Sequence, residues 1–150
     1  MREIKFRGKY KYNPTGWIYG NGVITVVGPF GEPTSRRVIV GWADLDMRED
    51  GNDAFGCDEV IPETIGQYTG FKDGNGVEIY EGDLVVATND PEYKGEVYWN
   101  EVFGRYDIYW KYGDDCVIRG NARYMEWMNY NNSKMLSVVG NIHDEVKDYD

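Results

Sequence analysis

The chain has a single histidine, His143, and two cysteines, Cys57 and Cys116, in 150 residues. One imidazole is too few for a histidine-based metal cage or a multi-histidine active site. The two thiols are not in CxxC spacing, so no redox dithiol or zinc knuckle is encoded, and a reducing compartment suits them. No apolar run reaches membrane-span length and no signal-type apolar segment follows Met1. A cytoplasmic location without membrane attachment is therefore expected. Positive charge is scarce too: 16 Lys and Arg stand against 26 Asp and Glu, for a formal net charge of -10. Residues 66–150 hold 8 cations against 16 anions, and that half should repel a phosphate backbone, because nonspecific nucleic-acid affinity comes mostly from cations displacing counterions. GxGxxG, P-loop, HExxH and GxSxG motifs are all missing, which removes the usual local signatures of dinucleotide, nucleotide, metalloprotease and serine-hydrolase sites.

What the chain has in quantity is aromatics and glycine: 13 Tyr, 5 Trp, 5 Phe and 19 Gly, with 41% of residues apolar. A disordered acidic chain does not carry that many large apolar side chains, so the negative charge belongs to a folded surface. A chain of this length buries roughly 70% of the surface its unfolded form exposes, enough for one domain or two small ones without disulfide staples. Short aliphatic and aromatic runs separated by glycine predict an all-β protein with many turns.

The strongest local signal lies between Ile65 and Ala87. Two runs rich in β-branched and aromatic residues, Gln67 to Phe71 and Val77 to Tyr80, flank Lys72-Asp73-Gly74-Asn75-Gly76. Asp-Gly and Asn-Gly supply the positive φ that a tight hairpin turn needs. A second turn, Glu81-Gly82-Asp83, opens into Leu84 to Ala87, so a β-meander is predicted.

This stretch also carries a resemblance. Gln67-Tyr68-Thr69-Gly70, Asp73, Asn75-Gly76, Glu78 and Tyr80-Glu81-Gly82-Asp83 resemble the signature of the YopX family, as do the opening Met1 to Lys9 with Gly16 to Gly20 and the closing Val138 to His143. The resemblance implies a small bacteriophage or prophage protein, all-β, with an N-terminal β region over 1–64 and a C-terminal SH3-like barrel over 65–150. It implies no established activity and no cofactor, and fold alone does not supply one.

Ile4 and Phe6 alternate with charged residues as in a half-buried strand ended by Gly8, and Arg2, Lys5, Arg7, Lys9 and Lys11 read as a solvated strand face. Tyr12 to Gly16 reads as a turn. Trp17 to Tyr19 and Val23 to Val27 read as arms of a hairpin about Gly20-Asn21-Gly22. Arg37 to Trp42 is apolar enough to be covered on both faces. Residues 43–56 read as an acidic loop, with the regional boundary near Asp58 to Ile65. Further on, a polar loop at Asn89 to Glu92 precedes a strand at Glu96 to Trp99, and Tyr106, Ile108 and Trp110 should face it across a turn at Gly104. Residues 116–119 suggest another strand, Asn121 to Asn129 one or two helical turns capped by Asn121, and Met135 to Ile142 the last strand.

Chemistry finds little purchase in this pattern. An EF-hand loop requires oxygen donors at positions 1, 3 and 5 and Gly at 6. Starting at Asp46 puts Arg48 third, starting at Asp50 puts Phe55 sixth, and starting at Asp73 puts Val77 fifth, so every register fails. Glu81 and Asp83 stand two apart, as a carboxylate pair would, but turn residues capping backbone amides account for them. Trp42, Trp99, Trp110 and Trp127 are either core or a contact surface.

Three functional classes remain. The first is a non-enzymatic accessory protein that forms a homo-oligomer and binds a host or phage protein. The second is a nucleic-acid binder using the barrel and the basic first strand. The third is a hydrolase using His143 with Cys57 or Cys116, or the acidic residues.

Overall fold

A computed structural model describes residues 2–27, 35–42, 55–112 and 125–144. Within them are twelve strands, a 3-10 turn and one four-residue helix, so the protein is all-β as the glycine-punctuated runs predict. Two units emerge, one built on Met1–Gln67 and the other on Tyr68–Glu145.

In the first unit, β1 (Phe6–Tyr10) turns at Lys11-Tyr12 into β2 (Asn13–Gly20), while β3 (Gly22–Val27), β4 (Ser35–Trp42) and β5 (Phe55–Val60) form an antiparallel set that reaches β1 through Tyr10 and Val60. Val38 and Ile39 are consecutive and both buried, so the middle of β4 is covered on both faces as its composition implied, while Arg37 at the start of that run is exposed. Gly8 does not end β1. It sits mid-strand, where an added Cβ would lie 3.0 Å from the Val60 Cβ and 3.3 Å from Ile39 Cδ1, so this glycine permits close packing rather than a turn.

The anticipated turn at Tyr12 to Gly16 is shorter, because Asn13 already pairs with Tyr10 across a bulge and Pro14 lies within β2. The anticipated hairpin about Gly20-Asn21-Gly22 is absent: β2 pairs with β1, and β3 pairs with β4. Asn21 N–H donates instead to Val40 O at 2.9 Å, and a Cβ on Gly20 would stand 2.5 Å from that same oxygen. Glycine here allows one backbone to cross closely over another.

β5 runs into the stretch from Asp58 to Ile65 where the regional boundary is expected. The acidic loop read over 43–56 lies outside the described residues up to 54, and Phe55 and Gly56 already belong to β5. Asp58 and Glu59 masked the strand because charged residues are uncommon in strands, yet Lys11 Nζ and Tyr12 OH both donate to the Glu59 carboxylate. Pro62–Thr64 then forms the 3-10 turn, closed by Thr64 Oγ1 donating to Ile61 O at 2.7 Å while accepting Lys9 N–H at 2.7 Å.

β6 (Gly66–Lys72) starts in the first unit, where Gly66 and Gln67 pair with β1, and continues into the second, where Tyr68 and Lys72 pair with Tyr80 and Glu78 of β7 (Glu78–Tyr80). The expected meander ends with this pair, because the strand that follows joins a different sheet. A five-stranded antiparallel sheet follows, built from β8 (Asp83–Ala87), β9 (Asp90–Asn100), β10 (Arg105–Tyr112), β11 (Met125–Trp127) and β12 (Leu136–Asn141) in the order β11-β10-β9-β8-β12. Its core gathers Ile79, Val85, Val97, Tyr106, Ile108, Met128 and Leu136, with Phe71, Trp110 and Val138 packed against it.

The aromatic strands pair across the Gly104 turn as expected, and their register sets Trp99 opposite Tyr106 and Val97 opposite Ile108. The polar loop expected at Asn89 to Glu92 is mostly strand, since β9 begins at Asp90. The helix expected over Asn121 to Asn129 is corrected: Met125–Trp127 is β11, paired with β10, and the helical turn α1 is Tyr130–Ser133. Its cap is Asn129, whose Oδ1 accepts Asn131 and Asn132 N–H at 2.8 and 3.0 Å, while Asn132 Oδ1 accepts Asn129 N–H. That reciprocal box outweighs the methionine spacing that suggested an earlier helix. Residues 121–124 and the strand expected at 116–119 lie outside the described residues.

Gly95 faces Trp110 across the β9–β10 ladder, and an added Cβ would stand 2.5 Å from Ile108 Cγ2 and 2.8 Å from Trp110 Cε3. Gly95→Ala should therefore destabilise the protein by about 1–3 kcal/mol through overpacking, read as a lower urea midpoint at unchanged m-value. In the first unit, the hydrogen bond from Lys11 holds the Glu59 carboxyl below its ordinary pKa, with Tyr12 and the charges of Lys11 and Arg36 adding to it against the opposing effect of burial. A depressed folded-state pKa contributes stability above the unfolded value of about 4.3 and loses it as pH falls through the folded value. Lys11→Met should flatten that portion of the acid limb in melts recorded from pH 6 downward.

Candidate interaction surface

The residues that make the sequence distinctive are used on turns. Asp73 is fully buried, and its Oδ1 accepts Asn75 N–H at 2.8 Å and Val77 N–H at 2.9 Å, closing the β6–β7 connection. Its Oδ2 accepts Val138 N–H from β12 at 2.9 Å, next to a break in the β12–β8 register between Val138 and Gly140. The same connection is clamped by Gly74 N–H donating to Leu136 O at 3.0 Å, and a Cβ on Gly74 would collide with Lys134 O at 2.7 Å. Gly76, at φ 85°, supplies the left-handed turn residue.

Asp83 has the corresponding role in the next turn. It is 1% exposed, its Oδ2 accepts Tyr80 N–H at 2.8 Å and its Oδ1 accepts Asn141 Nδ2 at 3.3 Å. Gly82 N–H donates to Val97 O at 2.8 Å and Gly82 O accepts Ile142 N–H at 2.9 Å. Thr69 Oγ1 donates to Ile79 O at 2.8 Å, and Tyr80 OH donates to Glu78 Oε2 at 2.9 Å. Tyr68 lies against Tyr80 with ring centroids 5.5 Å apart. Gln67 pairs with Phe6, Gly70 has positive φ, and Glu81 is half-buried in the turn.

The end of the β9–β10 hairpin is different in kind. There Val102 is 85% exposed, Phe103 62% and Trp99 39%. The turn that holds them is built from Asn100, whose Oδ1 accepts Val102 and Phe103 N–H at 3.1 and 3.3 Å and whose O accepts Gly104 N–H at 2.8 Å. Asn100 is itself oriented by donating Nδ2 to Asp107 Oδ2 at 2.7 Å, and Asp107 Oδ1 accepts Arg105 Nε at 2.8 Å. The Arg105 guanidinium lies 4.8 Å over the Phe103 ring, and Trp99 meets Tyr106 edge-on at 4.9 Å. Burial, followed by the charge of Asp107, pushes the Tyr98 hydroxyl above its ordinary pKa. The result is a short apolar tip on a turn pinned by buried polar groups.

The basic first strand is solvated only in part: Arg2 and Lys11 are exposed and Lys5 is half-buried, but its two central cations are not on a solvated face. Arg7 and Lys9 are 8% and 4% exposed, each with its cationic end 4.3 Å over the Trp17 ring. Their apolar stems and the indole face make this burial favourable, a cation–π arrangement that alternation alone does not reveal.

The tryptophans separate accordingly. Trp99 is partly exposed at the hairpin end, and Trp110 packs against the core. Trp42 and Trp127 lie in β4 and β11, and their side chains are outside the described residues. Cys57 is exposed on β5, Cys116 is outside the described residues, and His143 follows β12 with its N–H donating to Asn141 Oδ1 at 2.9 Å. Among the described residues no group of three or more His, Cys, Asp or Glu is arranged to hold a metal ion, and no helix is long and apolar enough to cross a membrane. Val102 and Phe103 are not singled out by sequence pattern, which places only the Gly104 turn there. The available signal was two large apolar residues in a turn, where polar ones are usual.

These features define a class, an all-β protein whose distinctive residues build buried turns and whose exposed apolar groups include a hairpin end. A model of the family described as YopX protein matches residues 35–147, and the chain belongs to the YopX family. Comparison with curated proteins gives no match. Among solved structures, the crystal structure of protein EF1440 from Enterococcus faecalis is similar, at 22% identity, covering 94% of each chain, with a TM-score of 0.41.

Asp73→Ala would leave the Asn75, Val77 and Val138 amides without their acceptor and should cost about 2–4 kcal/mol. Asp73→Asn keeps one carbonyl oxygen and should fall between wild type and alanine in chemical denaturation.

Proposed function

We propose that this chain is a non-enzymatic accessory protein of a phage or prophage, acting in the host cytoplasm, which self-associates and binds a protein partner through the β9–β10 hairpin end. The observation that carries this reading is the exposed Val102-Phe103 pair beside Trp99, on a turn held by the Asn100–Asp107–Arg105 hydrogen bonds. A rigid turn loses little entropy on binding, and a few large side chains commonly dominate an interface. Reading the C-terminal unit as an SH3-like barrel agrees with this use, since small barrels bind through the loops joining their strands.

Two considerations weigh against the alternatives. Arg7 and Lys9 lie against Trp17, which leaves the first strand a weak phosphate-binding surface. Asp73, Asp83 and Asp107 direct their oxygens at amide, asparagine or arginine donors, the arrangement of structural carboxyls rather than of a general base awaiting a substrate.

A Val102→Ser, Phe103→Ser double variant should keep the wild-type melting curve and lose partner binding by about 30-fold, the equivalent of one hot-spot residue. Capture from host lysate with each protein, with and without nuclease, followed by titration of the recovered partner, reads this out. A partner that disappears with nuclease, or that binds the double variant equally well, would sink the reading.

A further inference from the structure

β3 is the outermost strand of its set: among the described residues it pairs with β4 alone, over the unbroken register Gly22–Val40 to Val27–Ser35. Ile24, Thr25 and Val26 are all exposed, the two aliphatic residues at 44% and 41%. Consecutive strand residues point to opposite faces, so three exposed neighbours mean that both faces are open there. The strand reads GVITVV. It contains no charge, no proline and no bulge, three of the devices by which edge strands ordinarily resist pairing with another chain.

We infer that β3 is the self-association surface, pairing antiparallel with β3 of a second copy about a two-fold axis between Ile24 and Thr25. This rests on the self-association named in the proposed function and assigns it a place. In that pairing Val23 faces Val26 of the copy and Ile24 faces its Thr25, so β-branched residues meet β-branched residues over the four central positions, with Gly22 opposite Val27 at the ends.

Charge is compatible with this partner and direction, although arginines three strand spacings apart interact only weakly through solvent. Arg37 and Arg36, both exposed, stand opposite Thr25 and Val26 on β4. Extending each row across an antiparallel β3–β3 pair ends the Arg36 row on Ile39 of the copy and the Arg37 row on Val38. No row then holds two arginines, whereas an in-register parallel pair would place Arg36 and Arg37 each in one row with its counterpart. Residues 1–65, with 8 cations against 10 anions, are also far closer to neutral than residues 66–150 with 8 against 16, so association through β3 uses the less repulsive half of the chain. A single strand edge is a small contact, and the assembly is therefore concentration-dependent.

The test uses the full chain. Mass by sedimentation velocity should rise towards a dimer as concentration increases, and amide exchange at residues 22–27 should slow in parallel while that at 136–141 does not. Ile24→Lys with Thr25→Lys, checked for an unchanged far-UV spectrum, should weaken association at least tenfold, and the Val102→Ser, Phe103→Ser protein should still dimerise. A monomeric mass at every concentration overturns both this inference and the self-association it rests on. A dimer that persists in the lysine variant, or that leaves exchange at 22–27 unchanged, overturns the β3 assignment alone.

Discussion

The buried carboxyl of Asp73 is the interaction on which the second unit depends. One side chain accepts amides from its own turn and from β12, residues separated by more than sixty positions in the chain. A buried backbone donor without an acceptor is costly, so the turn cannot close without fixing where β12 runs, and β12 cannot shift register without abandoning the turn. Asp83 repeats the device, joining Tyr80 to Asn141. Two local turns are thereby tied to the last strand of the sheet, and the core cluster from Ile79 to Leu136 fills between them.

This use of carboxyls bears on function. Acidic residues outnumber basic ones by 26 to 16, and an acidic protein with Glu81 and Asp83 in close sequence invites comparison with a catalytic pair. Asp83 is instead buried under an amide and an asparagine. The side chains offered outward include aliphatic and aromatic ones, at the β9–β10 hairpin end and along β3. Apolar groups presented on a turn and on a strand edge are the kind of surface that contacts between chains use. Membership of the YopX family adds no activity by itself.

Much of the second unit was legible from residue pattern. The hairpin over Gln67 to Tyr80, the facing aromatic strands at Val97–Trp99 and Tyr106–Trp110, and the last strand all follow from period-two alternation and glycine turns, whereas the strand at Asp83–Ala87 forms where expected but pairs with β9 and β12 instead of completing a meander with β7. The first unit was harder. Gly8 and Gly20 look like turn residues, but one packs against Val60 and the other lets backbone pass Val40. A glycine required by a remote neighbour and one required by its own φ are identical in sequence. The same limit hid β5, whose Glu59 is satisfied by Lys11 and Tyr12 from another strand, and it moved the helix cap from Asn121 to Asn129.

Local chemistry by itself determined that this protein is all-β, where most of its strands fall, and that Asp73 and Asp83 belong to turns, because alternation and positive-φ preferences act within a few residues. Tertiary structure alone decided which strands pair, that Arg7 and Lys9 turn inward onto Trp17, and that Val102, Phe103, Ile24 and Val26 remain outside. Those outcomes depend on partners distant in sequence, and burial, unlike a turn, is a property of the surroundings a residue ends up with rather than of the residue.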